Sequence, residues 1–293
     1  MSPKLKKSLT TLVKIGVSIL LLYLVFTNID SKKLWQAYKT SNLVYIGLAL
    51  VLFVLSQVVS SFRLNYLLHS EKMFLAHRSN IKLYLLGMFY NFFIPGGIGG
   101  DAYKVYLLNK NFGWKTKSLV KTLFLDRAIG LGALLAIAVL ALYEIPFFEG
   151  KVIWLILAFA IISILGYYIL KLIFKKGDIY WKTYGYSLCI QGLQIASVIA
   201  IIKALGIDHD LLQFVLIFLI SSALSVLSFA GIGVREFIFK YAAEYVAIDT
   251  EISVVIALWF SIITAVVSLF GIYYLFNTLV PSLQSRSLEE IKD

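Results

Sequence analysis

The sequence predicts an all-α polytopic membrane protein, an inverted repeat with about six spanning helices and two glycine-broken re-entrant hairpins. Hydrophobic residues make up 60% of the 293 residues, charged residues make up only 15%, and the mean hydropathy is +0.87. This composition lies outside the range of soluble globular proteins. Glycine-rich turns followed by charged residues interrupt two apolar segments, at 95–101 and 230–236. The fold class rests on this composition and on the paired breaks.

Six apolar segments have the character of membrane spans, because a straight helix needs about 20 apolar residues to cross the hydrocarbon core. The segments lie at residues 12–26, 43–62, 130–142, 152–174, 184–202 and 252–276. The third segment is long enough only if its helix extends from about Leu123 to Tyr143. Such a helix carries Asp126 and Arg127 into the membrane or close to it.

The basic residues predict the orientation of the chain, since lysine and arginine collect in the cytoplasmic loops of membrane proteins. Lysines at positions 4, 6, 7 and 14 precede the first span and place the N-terminus in the cytoplasm. No small-residue cleavage site follows Phe26, so we expect this span to be retained. The acidic loops at 144–149 and 208–210 are predicted to be external, and both termini are predicted to be cytoplasmic.

The segment at 81–94 is predicted to belong to a re-entrant hairpin. The basic stretches 63–82 and 103–127 lie on its two sides, and both favour the cytoplasm. As a helix the segment is about 21 Å long, whereas the hydrocarbon core is about 30 Å thick. A segment that enters and leaves on the same side satisfies both observations. For 211–246 charge allows either a crossing or a re-entry, and analogy with the first half favours re-entry.

The chain divides into two halves with the same order of elements: span, span, broken hairpin, span. Repeat one covers about residues 1–145 and repeat two about 146–280, within a single transmembrane domain. Gly97 and Gly231 lie 134 residues apart, each in a Gly-Ile-Gly turn. The first half starts from the cytoplasm and the second from outside, so the repeat is inverted. Paired breaks of this kind mark the substrate site of many transporters, because unwound backbone needs protein or a wet cavity around it.

Charged residues at the ends of the apolar segments and in the breaks are the candidate site residues. They are Arg63, Asp101, Lys104, Asp126, Arg127, Arg235 and Glu236. A charge at membrane depth costs several kcal/mol, so it is usually paired and functional.

Each candidate also has a structural interpretation. Arg63 and Lys104 at helix ends can extend their charged heads to the membrane interface. The neighbouring residues 126–127 and 235–236 can form structural ion pairs. Asp101 can cap its own helix.

The glycine breaks are suited to an anion. A helix that starts at Asp101 or Arg235 directs free N–H groups and the positive end of its dipole into the break. Arginine adds a planar fork that matches phosphate or carboxylate. Glycine lets a ligand approach the backbone closely, and the glycines concerned are Gly97, Gly100, Gly231 and Gly233. Inside a membrane the commonest anion is a lipid phosphate.

Other function classes find little support in the sequence. Cys189 is the single cysteine, which excludes a disulfide framework and a cysteine-built metal site. No metal motif, nucleotide-binding loop or Ser-His-Asp set is present. The net charge of +11 is spread over short loops, as in membrane proteins, which argues against a nucleic-acid partner. We therefore expect no cofactor, no metal, no nucleic acid and no enzymatic activity.

Together these motifs resemble the flippase-like transmembrane domain of lysylphosphatidylglycerol synthases, which also occurs as a free-standing protein. The resemblance covers nearly the whole chain. The matching residues are Arg63, Asn91, Pro95, Gly99-Gly100-Asp101, Asp126-Arg127 and Gly231 to Glu236. The resemblance thus adds Asn91 to the candidate site. Two positions depart from the family: Lys104 stands where Arg is frequent, and Val226 and Ala230 stand where a Pro and a double Gly are usual.

The resemblance implies a flippase-like transporter that binds an anionic lipid headgroup and translocates it between leaflets. The lipid would be a phospholipid, an aminoacylated or glycosylated lipid, or a polyprenyl phosphate. No aminoacyl-transferase domain follows Phe276, so we expect the lipid-translocating part alone. Two alternatives stay open: a membrane-embedded enzyme or accessory subunit of lipid or glycolipid modification, and a small-anion transporter. We expect a bacterial or archaeal inner (plasma) membrane location, and a homo-oligomer is compatible with the sequence.

Overall fold

The structure, a computed structural model, describes residues 23, 31–93, 99–225, 233–246 and 248–276. Most of the first predicted span, 12–26, lies outside these ranges. So do both hairpin tips, 94–98 and 226–232, which contain the predicted site residues Gly97 and Gly231.

The described ranges contain helices and no strand, which confirms the all-α class. The α-helices are α1 Ser31–Lys39, α2 Leu43–Ser70, α3 His77–Phe93, α4 Gly100–Phe112, α5 Thr116–Ala141, α6 Val152–Phe174, α7 Tyr180–Ala204, α8 Leu211–Leu224, α9 Val234–Tyr245 and α10 Thr250–Phe276. Short 3₁₀ helices at Leu142–Glu144, Pro146–Phe148 and Gly177–Ile179 connect the helices on either side of α6.

Five of the described helices, α2, α5, α6, α7 and α10, are long and apolar enough to cross a membrane. They coincide with the five predicted spans that fall within the described ranges, so the protein is a multi-pass membrane protein. Several helices extend beyond the apolar run that predicted them. α2 continues past Phe62 to Ser70, and α5 begins at Thr116 rather than near Leu123.

α2 and α7 pack against each other along their length and run in opposite directions. At one end the N–H of Asn42 donates to the carbonyl of Ala204 at 2.8 Å. At the other end Nζ of Lys176, just before α7, donates to the carbonyl of Ser70 at 2.8 Å. α2 therefore defines two ends of the bundle, one beside Leu43 and one beside Ser70.

The remaining helices form two hairpins with reciprocal packing. In the first hairpin α3 packs against α10 and α4 against α5. In the second hairpin α8 packs against α5 and α9 against α10. Each hairpin thus contacts the final span of its own half with one arm and the final span of the other half with its other arm.

The two hairpins open toward opposite ends of the bundle. Residues 71–73 before α3 and residues 113–115 after α4 line one cleft, beside Ser70. Thr40 and Leu205 line a second cleft together with residues 249, 251 and 252, beside the start of α2. The first hairpin therefore begins and ends at the Ser70 end of the bundle, and the second hairpin begins and ends at the Leu43 end.

Helix ends recur with the spacing of 134 residues that separates Gly97 from Gly231. The matching ends are Ser70 and Ala204, His77 and Leu211, Gly100 and Val234, and Thr116 and Thr250. A structural repeat produces such a recurrence. The division of the chain into inverted halves itself stays a prediction.

Candidate functional site

Arg63 lies inside α2 and forms a buried ion pair. Its Nε donates to Oδ1 of Asp126 at 2.8 Å, and its Nη1 donates to Oγ of Ser187 at 2.8 Å. The Arg63 and Asp126 side chains are only 6% and 5% exposed. Gly130, one turn further along α5, makes room, since a Cβ there would lie 3.0 Å from Nη1. Arg63 thus links α2, α5 and α7. The interpretation that its charged head extends to the membrane interface is wrong.

A second, open group of charges is formed by Asp101, Lys104 and Arg127, and we call it the Asp101 cluster. Nε of Arg127 donates to Oδ2 of Asp101 at 2.9 Å, and Nη2 donates to Oδ1 at 3.1 Å. Nζ of Lys104 donates to the same Oδ1 at 3.1 Å. The Arg127 and Asp101 side chains are 53% and 33% exposed, so this pair, unlike that of Arg63, is accessible.

Close packing of α3 against α4 positions Lys104. Its stem crosses α3 at Gly87, where any Cβ would collide with it, and its Nζ lies 4.4 Å from the centre of the Tyr84 ring. A Cβ at Gly100 would collide with the Gly87 carbonyl, so the two glycines let the arms touch. Oδ1 of Asn91 accepts from the Gly100 N–H at 2.5 Å. Lys104 is buried, so the interpretation that its charged head extends to the membrane interface is also wrong.

Two further interpretations of these residues are wrong. Asp101 does not cap α4, because Gly99 occupies the N-cap position and no side chain caps it. Asp126 and Arg127 do not pair with each other, because successive residues of an α-helix point about 100° apart. Asp126 instead pairs with Arg63 inside the bundle, and Arg127 with Asp101.

In the second hairpin the acidic residue stabilises its own helix. Gly233 has φ +86, a backbone conformation that favours glycine. Its N–H donates to Oε2 of Glu236 at 2.8 Å, and Oγ of Ser261 on α10 donates to Oε1 at 2.7 Å. Glu236 is buried and engaged by these two donors. The predicted ion pair between residues 235 and 236 is therefore wrong.

Arg235 is a buried cation with few partners. Its exposure is 9%, and its guanidinium lies 4.6 Å from the centre of the Phe260 ring. Nη1 reaches Oγ of Ser261 at 3.5 Å, and Nε has no hydrogen-bond acceptor among the described residues. Among the described residues no carboxylate lies within ion-pair distance of Arg235. A buried cation in this state is suited to an external anion.

The two hairpins bring equivalent positions into contact. With the spacing of 134 residues, Asp101 corresponds to Arg235 and Arg127 corresponds to Ser261. Both pairs are in contact, Asp101 with Arg127 and Arg235 with Ser261. Among the described residues no hydrogen bond or ion pair joins Arg235 to the Asp101 cluster, so the structure shows two separate groups of charges.

Comparison with known families identifies the chain. The sequence profile described as "Lysylphosphatidylglycerol synthase TM region" matches residues 11–177, more than half of the chain. The chain belongs to this family. No curated protein matches the sequence.

The lysylphosphatidylglycerol synthase-type match includes the buried Arg63 pair and the whole Asp101 cluster, but it ends before α7. The second hairpin, with Arg235 and Glu236, lies outside the matched residues. In the described part of the chain no group of His, Cys, Asp or Glu is arranged to hold a metal ion.

Several residues that shape these sites were not predicted. Ser187 lies four positions before Gln191 in α7, so helical spacing of polar residues was a usable signal. Phe260 and Ser261 sit in an apolar span, where nothing in the sequence marks them as site residues. Gly87 lies mid-helix, and only the packing against α4 explains it.

Proposed function

We propose that this protein binds the phosphate of an anionic lipid headgroup and moves the headgroup between the two leaflets. The observation that carries the proposal is Arg235, a cation with 9% exposure and no described carboxylate partner. Glu236 shares the Ser261 hydroxyl with Arg235 but makes no ion pair with it, so an anionic ligand would supply the direct counter-ion that a buried cation needs. Phe260 beneath the guanidinium and Ser261 at its edge restrict the direction from which the ligand approaches.

A lipid phosphate fits the surroundings of Arg235 better than a soluble anion does. Arg235 lies in the first turn of α9, where the helix dipole favours negative charge. The helices around it expose apolar faces of the kind that lipid chains cover. Phospholipids, aminoacylated or glycosylated lipids and polyprenyl phosphates all carry the phosphate that arginine recognises.

We further propose that both hairpins are re-entrant and belong to inverted repeats. α8 has 14 residues, which corresponds to about 21 Å of helix, less than a bilayer core of about 30 Å. The two hairpins start and end at opposite ends of the bundle. Hairpins that open to opposite sides would give a headgroup access from either leaflet. In this arrangement the Ser70 end and both termini face the cytoplasm, and the membrane is the inner membrane.

Cysteine accessibility tests the topology. Single cysteines are introduced on a Cys189→Ala background in the two clefts, at the exposed Lys72 at one end and at the half-buried Glu251 at the other. An impermeant thiol reagent applied from outside should label position 251 and leave position 72 unlabelled. The reverse pattern, or labelling of both, would refute the proposed orientation.

Reconstitution tests the transport function. The full chain is placed in liposomes that contain fluorescent phosphatidylglycerol, and outer-leaflet fluorescence is quenched over time. We expect wild-type protein to expose the inner-leaflet lipid, Arg235→Ala to lose this activity, and the matched control Arg78→Ala, on the exposed start of α3, to retain it. Equal activity of Arg235→Ala and wild type would contradict the proposal. A covalently altered lipid in the same vesicles would identify a membrane-embedded enzyme instead.

A further inference from the structure

The carboxylate of Asp101 occupies the place at Arg127 that an anionic ligand would take. Its two oxygens accept from Nε and Nη2 of Arg127 at 2.9 and 3.1 Å, the two-point contact that a guanidinium also makes with phosphate. Oδ1 accepts in addition from Nζ of Lys104 at 3.1 Å. Arg127 and Lys104 therefore both donate to the carboxylate of Asp101.

The ion pair between Arg127 and Asp101 is open, unlike the ion pair between Arg63 and Asp126. The Arg127 and Asp101 side chains are 53% and 33% exposed, whereas Arg63 and Asp126 are 6% and 5% exposed. In the wet cleft that the proposed function requires, such an open ion pair adds little stability, because water solvates the separated charges. Another anion can therefore replace the Asp101 carboxylate without disrupting the helices, while no such exchange is open to Asp126.

The equivalent position of the second hairpin lacks such a carboxylate. Arg235 takes the place of Asp101, and Ser261 takes the place of Arg127. The nearby Glu236 is engaged by the Gly233 N–H and by Ser261. Among the described residues only the first hairpin thus places a carboxylate, that of Asp101, on the arginine of the neighbouring span.

We propose that Asp101 is a tethered counter-anion that holds Arg127 and Lys104 in the absence of lipid and exchanges with the headgroup phosphate during transfer. The inference rests on the proposed function and adds an internal competitor to it. A phosphate that binds Arg127 displaces Asp101. The return of Asp101 then displaces the phosphate and promotes its release. Lys104, positioned by Gly87, lies beside whichever anion is bound.

Removal of the Asp101 charge should therefore strengthen lipid binding and slow transfer. Asp101→Asn keeps the size of the side chain and removes the competitor. A matched control is Glu71→Gln, which removes the same charge from an acid that lies near Lys121 and Lys176 at 3.7 and 3.4 Å. Asp101→Glu restores a carboxylate and should return the affinity toward that of wild type.

The experiment measures equilibrium binding of fluorescent phosphatidylglycerol to the purified full chain in detergent micelles, with inorganic phosphate titrated in parallel. We expect Asp101→Asn to bind the lipid about two- to fivefold more tightly than wild type, the range an exposed ion pair contributes. Glu71→Gln should match wild type. Tighter binding of the lipid alone identifies a headgroup site, and tighter binding of both probes identifies a general phosphate site.

Unchanged or weaker lipid binding by Asp101→Asn would overturn the tethered-anion role while leaving the proposed function intact. Wild-type protein that binds neither probe would overturn the proposed function itself. Equal tightening by Glu71→Gln would show an effect of net charge and also overturn the inference. If Asp101→Asn does not remain monodisperse, Asp101→Ser is measured in the same way with the same expectation.

Discussion

The two hairpins place equivalent positions in contact but distribute charge in opposite ways. In the first hairpin the acid, Asp101, lies on α4 and the arginine, Arg127, lies on the neighbouring span α5. In the second the arginine, Arg235, lies on α9, and the neighbouring span α10 offers only Ser261. In the first hairpin one carboxylate contacts two cations, Lys104 and Arg127, whereas the second holds a buried arginine with no carboxylate within ion-pair distance among the described residues.

This difference shows that a similar placement of helices does not imply a similar distribution of charge. Asp101 and Glu236 both lie in the first turn of the second hairpin arm, and each accepts hydrogen bonds from the adjacent span. Glu236 accepts from the Gly233 N–H and from Ser261, and Arg235 reaches the same Ser261 hydroxyl without making an ion pair with Glu236. We therefore propose the primary phosphate site at the second hairpin and the exchangeable contact at the first.

The largest effect is expected for the buried ion pair between Arg63 and Asp126, which contrasts with the open pair between Arg127 and Asp101. Arg63→Ala leaves Asp126 as a buried charge and should destabilise the protein by about 3–5 kcal/mol. Arg127→Ala opens an accessible pair and should cost about 0–1 kcal/mol. Thermal unfolding in detergent compares the two variants. Similar losses of stability would mean that the Asp101 cluster is a structural pair and not an exchangeable one.

Glycine substitutions test whether the two hairpins differ in packing. A Cβ at Gly100 would collide with the Gly87 carbonyl, whereas the equivalent residue in the second hairpin is already Val234. Gly100→Val should therefore destabilise the protein by about 1–3 kcal/mol or more through overpacking. Val234→Ala, the matched control, should cost less. Thermal unfolding that ranks the two variants in the reverse order would disprove the close approach of α3 and α4.

Alanine substitution of the two arginines separates the roles of the hairpins. Charge-assisted hydrogen bonds contribute about 1.5–3 kcal/mol, so Arg235→Ala should lower lipid affinity by about 10- to 100-fold. Arg127→Ala removes the phosphate contact and its internal competitor together, so its equilibrium affinity should fall less. Binding of fluorescent phosphatidylglycerol measures both. A larger loss for Arg127→Ala would reverse the assignment of the primary site.

The smallest effect is expected from substitutions that keep the charge. Arg235→Lys loses the planar fork but retains the cation, so affinity should fall less than in Arg235→Ala. Arg127→Lys should have a still smaller effect, because Lys104 already supplies an ammonium beside it. Equilibrium binding of fluorescent phosphatidylglycerol measures both variants. Wild-type affinity for Arg235→Lys would indicate a site that recognises charge alone.

The fold class and the membrane spans within the described ranges were predictable because apolar runs of bilayer length dominate the composition. The starts of α4 and α9 at Gly100 and Val234 were predictable to within one residue, because glycine marks the break. The ends of the helices were not predictable, because α2 continues through polar residues such as Asn65, which neighbouring helices bury.

The identity of the charged candidates was predictable, but their pairing was not. Adjacent residues in a helix face different neighbours, so Asp126 meets Arg63 and Arg127 meets Asp101. Sequence proximity therefore suggested the wrong pairs. The partners that complete the sites, such as Phe260 and Gly87, act through position in the packed bundle and carry no chemical signal of their own.

The most direct test of the account is a structure of the full chain in lipid nanodiscs that contain phosphatidylglycerol. We expect a headgroup phosphate within hydrogen-bond distance of the Arg235 guanidinium, on the side not covered by Phe260. Where the first hairpin is empty, Asp101 should remain on Arg127. Lipid confined to the outer apolar faces, with Arg235 unoccupied at saturating phosphatidylglycerol, would contradict the assignment of the second hairpin as the phosphate site.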